Sequence, residues 1–241
     1  MMKIVYHKCM ENSKSFLPAF LQKSTAFLQK NEKFEKYFEI LINWNNKINL
    51  TTIIEKEEVY LKHFLDSIIA EEFIDNGASV LDIGSGAGFP ALPLAIIRED
   101  INFLLVEAVG KKVNFLNEVI KELAITNSKV IHSRIEDLKK INKTKYDYVT
   151  AKAVAKLNTL IEYALPYLKI GGKLIAYKSN DIDEEIKDAK NALCELCGEI
   201  VKIGEIQLDE NIKRKIIVIQ KIKENNNKYP REGNKPRIKP L

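Results

Sequence analysis

The sequence predicts an α/β fold: a mostly parallel sheet that ends in an antiparallel hairpin, preceded by a helical N-terminal extension. Three observations carry this. From Ser79 onward, β-rich runs alternate with helical runs, as a parallel sheet with helices on both faces requires. The last two β-rich runs, Glu199–Leu208 and Lys213–Ile222, are separated only by the polar Asp209-Glu210-Asn211. No crossover helix fits there, so they should pair antiparallel. Before Ser79, apolar residues recur at helical spacing instead.

In chain order, residues 1–75 read as the helical extension. Phe34, Tyr37, Phe38, Leu41, Ile42 and Trp44 form one apolar stripe, and Tyr60, Leu61, Phe64, Leu65, Ile68 and Ile69 a second. The asparagine-rich stretch 43–52 between them reads as a helix end followed by a turn. Trp44 fits a core anchor better than a base-stacking platform. Residues 76–224 form the sheet domain. Its strands are expected at Val80–Ile83, Phe103–Glu107, Lys129–His132, Tyr148–Ala151 and Lys173–Tyr177. The helices between them fall at Pro90–Arg98, Lys111–Leu123, Leu157–Leu168 and Asp183–Leu196, and Gly171-Gly172 reads as a tight entry to the fifth strand. Residues 225–241 form a tail, read as extended because Pro230, Pro236, Pro240, Gly233 and four asparagines oppose a helix.

The segment Val80-Leu81-Asp82-Ile83-Gly84-Ser85-Gly86-Ala87-Gly88-Phe89-Pro90 says most about function. An apolar strand feeds a glycine loop, and a helix opens at Pro90, the arrangement by which α/β sheets hold adenosine-containing cofactors. A dinucleotide fingerprint would read G-x-G-x-x-G and place free N–H groups against a pyrophosphate. Here the glycines alternate at 84, 86 and 88, Phe89 occupies the last glycine's place, and Pro90 removes a donor. Asp82 would repel a pyrophosphate but suits a cationic ligand, such as the amino group of the S-adenosylmethionine (SAM) tail. Glu107 then ends the next strand about 20 residues on, the position that holds ribose hydroxyls. A glycine-rich turn between strand and helix that holds no ligand is the lesser alternative.

Composition narrows the remaining classes. The 241 residues suffice for one α/β core with a small added subdomain, and the longest apolar run, around Pro90–Ile97, is far too short to span a membrane. Residues 1–10 offer no signal-peptide core, so a cytoplasmic location is expected. Cys194 and Cys197 form a C-x-x-C with no second pair or histidine beside it, Cys9 is remote, and the histidines lack ligand spacing. No metal is expected, and the two cysteines read as small buried apolar residues. The formal net charge is +5, and residues 221–241 account for it, with seven cations against two acids. Such a tail reads equally as a phosphate-contacting arm or as a solvated terminus.

Several segments resemble one family: Asn49-Leu50-Thr51, His63-Phe64-Leu65-Asp66-Ser67, the 81–90 glycine loop, Gly110-Lys111-Lys112-Val113-Asn114-Phe115-Leu116 and Tyr146-Asp147-Tyr148-Val149-Thr150-Ala151-Lys152-Ala153. The tail segments Tyr229-Pro230-Arg231-Glu232-Gly233-Asn234-Lys235-Pro236 and Lys239-Pro240-Leu241 add to them. Together they are similar to ribosomal RNA small-subunit methyltransferase G, the glucose-inhibited division protein B family, from about Phe34 to Leu241. The resemblance implies a class I SAM-dependent methyltransferase fold, Rossmann-like with a terminal antiparallel pair, and methyl transfer from SAM to N7 of one guanine in bacterial 16S rRNA. Asp82, Gly84, Gly86, Gly88, Phe89 and Glu107 would then serve the cofactor, with Ile135 and Glu136 framing its adenine. Lys152 would be a further cofactor contact, where the family usually carries arginine; lysine keeps the charge and loses the planar fork.

RNA contacts are expected at His63, Asp66 and Ser67 and, in the tail, at Arg231, Lys235, Arg237 and Lys239. From the residues alone, Glu136 starts a short solvated helix, Asp66 and Ser67 are surface or capping residues, and His63 is a half-buried helix residue. Guanine N7 has no proton to lose, so no general base is expected. The expected partner is 16S rRNA or the small ribosomal subunit, bound by a monomer. Rival readings are a SAM-dependent methyltransferase acting on a small molecule or another RNA, a nicotinamide oxidoreductase, and a non-catalytic RNA-binding protein.

Overall fold

The computed structural model describes Phe27 and residues 29–178, 182–208 and 212–241. A seven-stranded sheet runs in the order β3-β2-β1-β4-β5-β7-β6. Its strands are β1 (Ser79–Ile83), β2 (Asn102–Glu107), β3 (Ser128–His132), β4 (Tyr146–Lys152), β5 (Leu168–Lys178), β6 (Gly198–Gln207) and β7 (Lys213–Lys221). The first five are parallel, and β7 joins β5 and β6 antiparallel, so the terminal hairpin is as predicted. The order reverses between β1 and β4, and the crevice at such a switch point is where open α/β sheets bind ligands.

Both faces of the sheet are buried because its central strands are mostly apolar on both sides, with the buried Asp82 of β1 and Thr150 of β4 among the exceptions. Val80, Ile175, Tyr177, Ile216 and Val218 face one core, and Leu81, Ile83, Leu174, Ala176, Ile217 and Ile219 face the other. The first core also takes the N-terminal helix α1 (Asn31–Asn45), which buries Phe34, Tyr37, Ile40 and Leu41. It ends where expected: Asn45 Oδ1 accepts the N–H groups of Leu50 (2.9 Å) and Thr51 (3.0 Å) and folds the turn. Trp44 packs edge-on against Phe115, centroids 5.9 Å apart. The second apolar stripe begins as α2 (Lys56–Val59) and passes through a π-helical stretch, Tyr60–Leu65, into a short turn, Asp66–Ile68.

The crossover helices are α3 (Ala91–Ile97), α4 (Gly110–Glu122) and α5 (Leu157–Ala164). The last predicted helix is two, α6 (Asp183–Asp188) and α7 (Lys190–Glu195), parted at the buried Ala189. Gly171 and Gly172 do not open β5. They sit inside it where the register against β4 slips, and a Cβ at Gly172 would lie 3.0 Å from the carbonyl oxygens of Asp147 and Lys169. Cys194 is exposed rather than buried, and Cys197 is half-buried with φ +57° where the chain leaves α7. Cys9 lies outside the described residues.

The tail differs most from expectation. It is not extended throughout: a short helix, α8 (Lys235–Ile238), forms, and Tyr229 and Pro236 are buried against the domain. Among the described residues no group of His, Cys, Asp and Glu could hold a metal, and no helix is long and apolar enough to cross a membrane.

Candidate active site

The glycine loop is shaped by its own backbone. Gly84, Gly86 and Gly88 have φ of +64°, +56° and +87°, a region that L side chains rarely adopt. The N–H of Gly84 donates to Val106 O (2.9 Å) and that of Gly88 to Ser85 O (2.7 Å). Glu107, at the end of β2, ties the loop to the next strand: Oε2 accepts the Gly86 N–H and Oε1 the Val109 N–H, each at 2.8 Å. Each carboxylate oxygen keeps a lone pair for a further donor.

Beside this loop, at the C-terminal ends of β1, β2 and β3, lies a cleft of ≈ 380 Å³. Ile83, Gly84, Val106 and Glu107 supply one side; Ser133, Arg134, Ile135 and Glu136 follow β3; Val154, Tyr163, Asn234 and Arg237 complete it. The size and the mixture of apolar walls with a few polar groups suit a small-molecule site. Of the residues expected to serve the cofactor, Gly84, Glu107, Ile135 and Glu136 line the cleft. Glu136 is buried, not solvated, because the phenol of Tyr163 on α5 covers it and donates to its Oε1 at 3.3 Å.

Asp82, Phe89 and Lys152 lie instead on the α1 side of the loop. Asp82 is fully buried; its Oδ1 accepts the Thr150 hydroxyl at 2.6 Å and its Oδ2 has no partner among the described residues. Burial pushes its carboxyl up to about 7, against the pull of the Ser85 and Thr150 hydroxyls. Phe89 is sandwiched between His63 (centroids 4.6 Å apart, 15° between planes) and Tyr37 (5.8 Å). Gly88 serves this packing: a Cβ there would lie 2.3 Å from the Tyr37 hydroxyl, which donates to Ala87 O at 2.6 Å. Around Gly86 the nearest atom to such a Cβ is Gly84 O at 3.8 Å, so space for a closely approaching ligand is open there.

Lys152 ends β4 in a buried charge cluster. Its ammonium contacts Asp66 Oδ2 at 2.8 Å, and Arg214 Nε donates to the same oxygen at 3.1 Å. It also donates to Lys62 O at 3.2 Å and lies 5.8 Å from the Phe89 ring centre. Ala153, with φ +57°, turns the chain next, and Val154 then packs 3.2 Å from where a Gly84 Cβ would be. β4 thereby serves both sides of the loop.

The residues His63, Asp66 and Ser67, expected to face RNA, are largely inside. Asp66 and Ser67 are fully buried, the first by its two cations and the second under Tyr177, whose hydroxyl donates to Ser67 O. His63 shares a 2.7 Å hydrogen bond with the Thr51 hydroxyl. Burial, reinforced by the Lys152 charge, lowers its imidazole to about 4, so it is neutral at physiological pH. In the tail, Arg231 is committed to the fully buried Glu162: Nε donates to Oε1 (2.8 Å), Nη2 to Oε2 (2.6 Å), and its backbone N–H to Oε1 (2.9 Å). Lys235, Arg237 and Lys239 are exposed.

The sequence model of the rRNA small subunit methyltransferase G (GidB) family matches residues 30–216. The chain belongs to that family. A ribosomal RNA small subunit methyltransferase G of Desulforamulus reducens is 49% identical over 213 residues, 86% of this chain and 89% of that protein. One from Streptococcus pyogenes serotype M4 is 46% identical over 223 residues, 90% and 94% of the two chains. Among solved structures, M. jannaschii TYW2 in complex with AdoMet matches at TM-score 0.54 and 15% identity, over 71% of this chain and 80% of that one. A SAM-dependent methyltransferase from Aquifex aeolicus matches at 0.52 and 18%, over 68% and 93%. At those identities the likeness is one of fold, and the family rests on the sequence matches.

Reasoning from sequence missed Tyr37, Thr150, Val154, Glu162 and Tyr163. Thr150 lay within a quoted motif, but nothing local marks which hydroxyl meets Asp82, 68 positions away. Asn234 was quoted for the family resemblance, yet its place on the cleft depends on the whole tail folding back.

Proposed function

We propose that this chain transfers the methyl group of SAM to N7 of one guanine in bacterial 16S rRNA, as a monomer acting in the cytoplasm. The observation that carries this is the cleft at the β1–β4 switch point, with Glu107 and the glycine loop on one side and Ile135–Glu136 on the other, in a chain of the rRNA small subunit methyltransferase G family.

The residues present fit SAM. Behind the glycine loop from the cleft, the orphaned, buried Oδ2 of Asp82 is an acceptor whose ionised form a cationic group at the loop would stabilise. Glu107 retains acceptor capacity for ribose hydroxyls, Ile83, Val106 and Ile135 give apolar walls for a purine, and Gly86 leaves its backbone open. Bound there, SAM supplies a sulfonium methyl, an electrophile that needs no further activation. Everything else falls to positioning by the protein. N7 of guanine presents an in-plane lone pair and carries no proton, so no side chain has to act as base. His63, neutral and hydrogen-bonded to Thr51, buttresses Phe89 in this reading. Phe89 and Lys152 hold the loop and the end of β4, and the apolar walls exclude water. The guanine must come from a loop or leave its stack to reach the site. Exposed Lys235 and Lys239 are suited to RNA phosphates, whereas Asp66, Ser67 and Arg231 support the fold beneath.

The test is transfer from labelled SAM to 16S rRNA lacking its native methylations, offered free and within small subunits, with N7-methylguanine mapped by strand cleavage. One modified guanine is expected. SAM binding without transfer to either form would overturn the rRNA assignment and leave a small molecule or another RNA as substrate.

A further inference from the structure

The tail returns to the cofactor cleft and forms part of it. From Tyr229 onward each turn is fixed to the domain. The Tyr229 hydroxyl donates to Glu195 Oε1 (2.8 Å), and Arg231 clamps Glu162 through three hydrogen bonds. The Thr159 hydroxyl donates to Pro236 O (3.0 Å) and Arg134 Nη1 to Asn234 Oδ1 (3.1 Å). Glu162 and Thr159 lie on α5, which also carries Tyr163, and Arg134 precedes Ile135. The tail therefore bridges the two elements that frame the Glu136 end of the cleft. Arg237 Nη2 approaches Val154 O at 3.4 Å, across from Gly84.

We propose that Asn234 and Arg237 are cofactor-binding residues, and that the Arg231–Glu162 pair is the latch that positions them. This rests on the assignment of the cleft to SAM. Asn234 and Arg237 line the cleft beside Glu107, Ile135, Glu136 and Tyr163, while their remaining surface faces solvent. A planar guanidinium at that rim matches a purine or a carboxylate, the two planar groups of SAM. Glu162 has no solvent to stabilise its charge, so releasing Arg231 to a phosphate would leave a buried carboxylate unpaired. The cationic tail is in this reading first a wall of the small-molecule site; contact with RNA is left to Lys235 and Lys239.

The experiment measures binding of S-adenosylhomocysteine by calorimetry and of 16S rRNA by filter retention, on the full chain and its Arg237→Ala variant. Arg237 is exposed, so this variant is expected to melt within about 2 °C of the parent. Its affinity for S-adenosylhomocysteine is expected to fall about tenfold or more, and its RNA affinity less than twofold. The reverse pattern makes Arg237 an RNA contact and overturns the proposal, as does loss of both affinities by one factor. A parent that fails to bind S-adenosylhomocysteine sinks the cofactor reading itself; a parent that binds, beside a variant that binds equally well, sinks only the tail's role. The latch is read separately by trypsin cleavage after Lys228 and Arg237, neither of which precedes a proline. S-adenosylhomocysteine should slow it several-fold in the parent and much less in Arg231→Lys, which keeps the charge and loses the fork. Equal protection in both overturns the latch.

Discussion

At the scale of the residue, Asp82 holds the sharpest conflict in the molecule. A carboxylate is buried with one oxygen unsatisfied, and burial holds it near 7, well above the carboxylate's ordinary 3.8. Between those values the folded protein keeps a proton that the unfolded chain has released. The cofactor-free protein therefore loses stability as pH rises from about 4 to 7 and loses no more above that. The shift corresponds to a cost on the order of 4 kcal/mol. Asp82→Asn keeps the shape and removes the charge. Thermal melts of the cofactor-free protein should show the variant more stable than the parent at pH 8, with the gap closing at pH 5; an equal gap at both would exclude ionisation as its origin. The same variant should bind S-adenosylhomocysteine at least tenfold more weakly at pH 8, since it lacks the anion. His63 is the contrasting case. Half-buried against Phe89 and near the Lys152 ammonium, it should titrate near 4 by NMR, and the pH–rate profile should show no ionisation from it above pH 5.

At the scale of the element, α1 acts as a buttress for the glycine loop. The Tyr37 hydroxyl reaches Ala87 O, its ring backs Phe89, and Gly88 has no room for a side chain. Gly88→Ala would add a Cβ against Tyr37 at a positive φ and should cost about 2–4 kcal/mol in urea unfolding. Tyr37→Phe keeps the packing and removes only the hydrogen bond to a buried carbonyl, for about 1–2 kcal/mol. A larger loss for Tyr37→Phe than for Gly88→Ala would contradict the buttress. This division also explains what was legible in the sequence. The strands and the glycine turn are written locally, in apolar runs and in glycines where φ must be positive, so six strands were read within two residues, while β5 begins five residues before the expected Lys173. Gly88 read as cradle, and the structure shows packing, because a glycine's signal does not say what occupies the space it leaves. The break at Ala189, the left-handed Ala153 and the slip at Gly171 answer to neighbours distant in sequence. Glu136 looked solvated for the same reason: its cover, Tyr163, comes from 27 positions away. Family resemblance named Ile135 and Glu136 where spacing alone could not.

At the scale of the whole molecule, the tail's charge must be divided between two tasks. Composition could show only that residues 221–241 hold the net excess. The fold then commits Arg231 to Glu162, Lys221 to Leu168 O and Glu224, and Lys228 to Glu195. Lys235 and Lys239 lie on the same exposed stretch as Arg237, at the mouth of the cleft, where an incoming RNA strand would pass. Phosphate contacts release counterions, so affinity for 16S rRNA should fall steeply as salt rises. Replacing Lys235 and Lys239 together by glutamine should flatten the dependence of log affinity on log salt by about 1.5–2 units, uniformly across RNA sequences. Affinity for S-adenosylhomocysteine should stay within about twofold of the parent, since neither side chain lines the cleft. An unchanged salt slope would mean that neither lysine neutralises a phosphate. The RNA surface would then have to be sought along the other cations that ring the sheet's C-terminal edge, Lys111, Arg134 and Lys156, each of them exposed.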